Sequence, residues 1–191
     1  MNQFEYISVL LSIIVGLGIV HLLTGISRLI QRPRELRVYW VHLVWVAYQF
    51  LQLVFFWWWE FQFNEIPSWT FPLYFFLVLY ATAQYLPSVV LFPYDLPSGF
   101  DFRSYYYERR KWFFGLWILT LCMDLVDTYA KGPDHVAALG VEYPIRLVAY
   151  ISAFIVASFW SNPYFHAVFA VLATSYQFLW AIRLYLSMPG A

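Results

Sequence analysis

Six long apolar stretches, separated by short polar connections, dominate the pattern of residues along this chain. An apolar stretch of about 20 residues is long enough to cross the ~30 Å hydrocarbon core of a bilayer as a helix. The pattern therefore predicts an all-α, polytopic integral membrane protein with a single domain over residues 1–191, built as a compact bundle of six transmembrane helices. The predicted spans cover about residues 6–28, 38–60, 69–91, 112–130, 143–161 and 164–187.

Composition leaves little material for anything outside the membrane, because 62% of the residues are hydrophobic and only 12% are charged. The chain contains no phosphate-binding glycine loop, no CxxC pair, no GxSxG turn and no HExxH helix, the patterns that mark common catalytic sites. No basic run exceeds the three residues 109–111, so nucleic-acid binding is not indicated. The sequence requires no cofactor and favours a protein that is not an enzyme.

The basic residues define the expected orientation. Eight of the eleven lysines and arginines lie in, or at the edge of, the connections 29–37 and 92–111, which fall on the same side of the membrane. Short loops rich in Lys and Arg stay in the cytoplasm. We therefore expect both termini outside, in the extracytoplasmic (periplasmic) space, and the location that fits is the cytoplasmic (inner) membrane of a bacterium.

A short internal similarity suggests duplication. The sequence ATAQYL at 81–86, in the third span, resembles ATSYQ at 173–177, in the sixth. Duplication of a three-helix unit in a membrane gives an inverted repeat. The sequence thus predicts a weak 3+3 inverted repeat.

The first span carries two rows of small residues. Ser8, Ser12 and Gly16 are spaced by four, and Gly18 and Gly25 flank His21 on another face. Small residues on one face let membrane helices approach closely. We expect this helix to be central and tightly packed, with the row ending at Gly16 as a contact face.

Three histidines lie at similar depth in the inner half of the spans: His21, His42 and His166. Three imidazoles on three helices could bind a metal or a haem iron. The competing interpretation is that each histidine forms a hydrogen bond to a neighbouring helix. The spacing of the histidines leaves both interpretations open.

A second group of charged residues lies toward the outer ends of the spans. Asp127 lies four residues before Lys131, and such an acid-first spacing forms a weak ion pair on a helix surface. Glu142 lies four residues before Arg146 in the same arrangement. We expect two exposed pairs here, and we expect His135, in the outer connection, to be solvated.

Asp124 has no such local partner, and it lies about 10 Å below the outer end of its span. Arg183 also lacks an acid on its own helix. Because a single charge in the membrane is costly, the sequence predicts a cross-helix pair between Asp124 and Arg183. Glu60 is a competing partner for the arginine.

These polar residues favour a binding or transport module for a small molecule, an ion or protons, with a pocket in the outer half of the bundle. One alternative is a haem- or metal-dependent redox enzyme that uses the histidines. Another is a non-catalytic accessory subunit of a membrane complex. A homo-oligomer suits either non-enzymatic class. The expected partners are the lipid bilayer and either further copies of this chain or the other subunits of a membrane complex. The candidate pocket residues are Asp124, Arg183, Glu60, Asp127, Arg146, Gln49, Gln84 and Gln177.

Overall fold

The computed structural model describes residues 3–61, 63 and 69–187, with side chains from residue 5 to residue 183. The chain ends and most of the second connection, which we expect on the outer side, lie outside the described residues. Within them the secondary structure is helical, apart from one isolated bridge between Arg37 and Asp101. The helices are α1 (Gln3–Gln31), α2 (Trp40–Glu60), α3 (Phe71–Leu91), α4 (Phe102–Ala130), α5 (Pro133–Leu139), α6 (Glu142–Phe159) and α7 (Pro163–Ser187).

Six of these helices are long and apolar enough to cross a membrane. Each of the six predicted spans coincides with one of these helices, which is consistent with a helical membrane bundle. The shortest, α6, has 18 residues and is about 27 Å long at 1.5 Å per residue. In α4, the stretch from Phe102 is continuous with the span that we predicted to begin near 112. This helix of 29 residues is about 43 Å long at 1.5 Å per residue, which exceeds the ~30 Å of a hydrocarbon core. The seven-residue helix α5 was not predicted.

The central helix of the bundle is α2, which packs against α1, α3, α4 and α7. Helix α1 lies mainly against α3, and α4 joins α3 to α6. The expectation of a central first helix is therefore wrong. Although only a short turn connects α6 and α7, these two helices contact each other sparsely and leave a groove between them.

The close approach of α1 runs through the glycines beside His21 and not through Gly16. A Cβ atom on Gly25 would lie 2.3 Å from the ring of Phe92, and one on Gly18 would lie 2.9 Å from Leu53. A Cβ on Gly16 would meet nothing within 4 Å. Gly16 is thus not a point of close helix contact within the described residues.

The two basic connections lie together at one end of the bundle. The Arg37 amide donates to the Phe100 carbonyl at 2.9 Å, and the Phe102 amide donates to the Arg37 carbonyl at 3.0 Å. The Arg32 guanidinium also donates to the Leu96 carbonyl at 2.8 Å. Helix α5 and the acidic residues near it lie at the opposite end.

A layer of aromatic side chains fills the middle of the bundle. Trp45 is fully buried, and the rings of Phe114 and Phe169 lie edge-on to it at centroid distances of 5.2 and 5.3 Å. One turn further along α2, Tyr48 contacts Trp117 at 4.7 Å. Such edge-to-face packing stabilises a dense core. This aromatic layer separates the histidine level from the polar residues at the opposite end.

Candidate functional site

The three histidines do not converge. His21 and His42 each direct Nε2 to a carbonyl at the end of α3, those of Phe92 and Leu91, both at 2.8 Å. A ring nitrogen whose N–H donates to a carbonyl is not free to ligate a metal. Among the described residues, no group of three or more His, Cys, Asp or Glu side chains could hold a metal ion.

His166 uses both of its ring nitrogens. Its Nε2 lies 2.8 Å from the Trp160 carbonyl and Nδ1 lies 2.8 Å from the Tyr106 hydroxyl. A carbonyl accepts only, so Nε2 carries the proton and Nδ1 accepts from the tyrosine. The histidines therefore join helices by hydrogen bonds, and the arrangement does not fit a shared metal or haem site.

A buried cluster of charges occupies the opposite end of the bundle. The Lys131 Nζ lies 2.6 Å from an oxygen of Asp127 and 3.3 Å from an oxygen of Glu60. The side chains of all three residues are only 5% exposed. The predicted pairing of Asp127 with Lys131 is confirmed, but its expected exposure is wrong, because α2 covers the pair and adds Glu60.

Glu60 and Lys131 lie at the C-terminal ends of two helices, where the helix dipole affects their charges. Glu60 is the last residue of α2, where the helix dipole disfavours a negative charge. Lys131 caps the end of α4, where a positive charge is favoured. Burial alone lowers the pKa of Lys131, but the carboxylates of Glu60 and Asp127 outweigh burial and raise this pKa above its ordinary value. The ammonium group is thus held in its charged form.

Asp124 lies deeper and accepts hydrogen bonds from two phenols. The Tyr80 hydroxyl donates to one carboxylate oxygen at 3.2 Å, and the Tyr143 hydroxyl donates to the other at 2.8 Å. Thr128 in turn donates to the Tyr143 oxygen at 3.1 Å. The carboxylate is therefore bound by neutral donors from α3 and α6.

The expected pair between Asp124 and Arg183 is not formed. Arg183 contacts Glu142 instead, at 2.7 Å, and the two side chains are 60% and 45% exposed. The expected pair of Glu142 with Arg146 is likewise replaced. The reason is the packing of the helices, since the outer part of α7 faces the first turn of α6 and not α4.

Arg146 lies on the side of α6 that faces the other helices of the bundle. Its guanidinium is 3.8 Å from the centre of the Trp180 ring and 5.5 Å from that of Tyr143. Stacking on an aromatic face fixes the plane of the group and leaves its N–H edges free. Within the described residues, none of these N–H groups has a hydrogen-bond acceptor. Arg146 therefore offers unused donors.

Two adjoining cavities connect these groups. The first, of about 30 Å³, lies under α5 and is lined by Glu60, Asp124, Asp127, Lys131, His135 and Arg146 among others. The second, also of about 30 Å³, extends toward the aromatic layer and reaches Tyr48, Gln52 and Gln177. Both are lined by Trp59, Asp124 and Arg146. We refer to them together as the polar pocket.

Several residues are placed differently from their expected positions. His135, expected to be solvated, is half-buried in the polar pocket, where burial, and then Lys131, lower its pKa. Arg183 lies on the surface. Gln49 lies between α2 and α3, donating to the Gln84 carbonyl at 2.7 Å, and neither glutamine lines the polar pocket.

Sequence reasoning did not identify Tyr80 and Tyr143 as site residues. The chain has 16 tyrosines, so no single tyrosine is distinctive. Gln52 also lines the polar pocket, where it accepts a hydrogen bond from the Gln177 amide.

Comparison with known protein families, with curated proteins and with solved structures finds no match for this chain.

Proposed function

We propose that the protein is a membrane binding or transport module that takes up protons in the polar pocket. The observation that carries this proposal is the charge of the buried cluster. Two carboxylates, Glu60 and Asp127, face one ammonium group, so the cluster carries one negative charge when all three groups are ionised. A buried unbalanced charge is costly, and one bound proton removes it.

The geometry supports a proton as the ligand. Among the described residues, one oxygen of each carboxylate, Oε2 of Glu60 and Oδ1 of Asp127, is buried and has no hydrogen-bond partner. Intramembrane carboxylates that face a cavity are typical of proton relays.

Asp124 is the group through which a proton would pass from this cluster to the deeper cavity. It lines both parts of the polar pocket, and its partners Tyr80 and Tyr143 carry exchangeable hydroxyl protons. Past Asp124, the side chains of Gln52 and Gln177 continue the polar lining toward the middle of the membrane. The aromatic layer beyond them closes the pocket in this conformation.

The orientation that we propose follows from the basic connections. With the connections 29–37 and 92–111 in the cytoplasm, the polar pocket opens on the extracytoplasmic side and both termini are outside. The cluster then binds protons from the medium outside a bacterial cytoplasmic membrane. The 3+3 inverted repeat and a homo-oligomeric state stay predictions.

The test is proton flux into liposomes that contain the purified protein and a trapped pH indicator, driven by a potassium gradient with valinomycin. We expect the proton flux of Asp124→Asn to be at least about tenfold lower than that of the wild type, because an amide does not take up and release a proton as a carboxylate does. Asp134→Asn is the matched control, since Asp134 is exposed on α5 and does not line the pocket. Equal flux in the two variants, or no flux above empty liposomes, would contradict proton transport.

Proton binding without transport has its own measurement. An infrared pH titration detects a protonated carboxylic acid in the wild type, and Asp127→Asn should remove that signal because Glu60 and Lys131 then balance each other. Asp134→Asn should keep it. A signal that persists unchanged in Asp127→Asn would place the proton elsewhere.

A further inference from the structure

A groove between α6 and α7 opens on the outside of the bundle. It has a volume of about 430 Å³. Tyr150 crosses between the two helices and donates to the Ala173 carbonyl at 3.0 Å, which fixes their separation. The apolar part of the groove is lined by Ile145, Ala149, Ala153, Phe169, Leu172 and Ala173.

The polarity of the groove changes along its length. Its polar residues, Glu142, Arg146 and Tyr176, lie toward the end near the membrane surface, and its small and apolar residues lie deeper. From Glu142 to Ala153 the lining covers eleven residue steps of α6, or about 16 Å. Half of the hydrocarbon core is about 15 Å. The groove therefore has the depth and the polarity of one lipid leaflet.

The charge at the polar end is positive. The Glu142 carboxylate is neutralised by Arg183 at 2.7 Å and also accepts from the Tyr176 hydroxyl at 2.6 Å. Counting two arginines and one glutamate, the net charge is +1. The Arg146 guanidinium, stacked on Trp180, has N–H groups without an acceptor among the described residues. Its planar arrangement of N–H donors suits a phosphate.

We propose that this groove binds an anionic phospholipid, with one acyl chain along α6 and α7 and the phosphate on Arg146. The proposal does not rest on proton uptake by the polar pocket. The groove alone would accept any acyl chain, whereas Arg146 gives the preference for a net negative headgroup. Binding of a lipid here also covers the apolar surface that the sparse contact of α6 with α7 leaves open.

The test is native mass spectrometry of the purified protein in detergent with dipalmitoyl phosphatidylglycerol, dipalmitoyl phosphatidylcholine or glycerol phosphate. We expect the wild type to retain phosphatidylglycerol about tenfold better than phosphatidylcholine, and Arg146→Gln to lose this preference. Ala149→Phe fills the groove and should lower retention of both lipids about tenfold. Val148→Phe is the matched control, because Val148 is the neighbouring residue of α6, is exposed and does not line the groove.

Three outcomes would overturn the proposal. Equal retention of phosphatidylglycerol by Ala149→Phe and Val148→Phe would exclude the groove as the binding site. Glycerol phosphate that binds as tightly as the lipid would show a phosphate site without an acyl-chain site. A wild-type dimer that Ala149→Phe converts to a monomer, with lipid retention unchanged, would show that a second copy of the chain occupies the groove.

Discussion

The substitution Lys131→Met tests the charge balance of the buried cluster most directly. Lys131 is the only cation in contact with Glu60 and Asp127 among the described residues, and all three side chains are 5% exposed. Methionine has nearly the same length as lysine but carries no charge. The variant therefore leaves two negative charges close together at a site where the side chains are almost fully buried.

The expected cost is large because solvent does not screen these charges. Removing one partner of a buried pair costs about 3–5 kcal/mol of unfolding free energy. Asp127→Asn should cost much less than Lys131→Met, because Glu60 and Lys131 then form a neutral pair. Arg183→Met breaks an exposed pair, with side chains 60% and 45% exposed, and such a pair contributes under about 1 kcal/mol.

The assay is equilibrium unfolding in mixed micelles of dodecyl sulfate and a mild detergent, followed by circular dichroism. We expect the loss of stability to fall in the order Lys131→Met, Asp127→Asn, Arg183→Met. If Lys131→Met and Arg183→Met were equally stable, the cluster would be solvated, and the argument for proton uptake would fail with it. A larger loss in Asp127→Asn than in Lys131→Met would likewise refute the charge balance.

Two further predictions concern packing and orientation. Gly25→Ala should destabilise the protein by about 1–3 kcal/mol in the same unfolding measurement, because its Cβ would lie 2.3 Å from the buried ring of Phe92. Gly16→Ala is the control and should be neutral or slightly stabilising, because a Cβ at that position meets nothing within 4 Å. The orientation is tested with single-cysteine variants at Ser98 and Asp134, which are both exposed, in a chain whose native cysteine is replaced by serine. Intact cells are treated with a membrane-impermeant maleimide, and we expect labelling of Asp134→Cys only. Labelling of Ser98→Cys only would invert the proposed topology.

The parts of the structure that were predictable from sequence are those set by one segment alone. Hydropathy over about 20 residues decides whether a helix can cross a bilayer, so the six predicted apolar segments coincide with six long helices of the structure. The pair of Asp127 with Lys131 was found because residues four apart on a helix are always neighbours. Neither inference needs the relative rotation of two helices.

Interactions between helices were not predictable in the same way. His21 and His42 lie at similar depth, but depth says nothing about the direction of a ring, and each ring turned out to contact a carbonyl of α3. The partner of Asp124 was sought among charged residues only. Phenol hydroxyls also stabilise a carboxylate, and Tyr80 and Tyr143 fill that role.

Arg146 links the two proposed sites, because its side chain lines both the polar pocket and the groove between α6 and α7. A lipid phosphate bound to the guanidinium would cancel the positive charge that Arg146 contributes beside Asp124. The pocket would then be more negative by one charge, and its attraction for a proton would rise, since charges interact strongly where water is excluded. If both proposals hold, anionic lipid and protons therefore favour each other's binding, and by linkage the effect is equal in both directions.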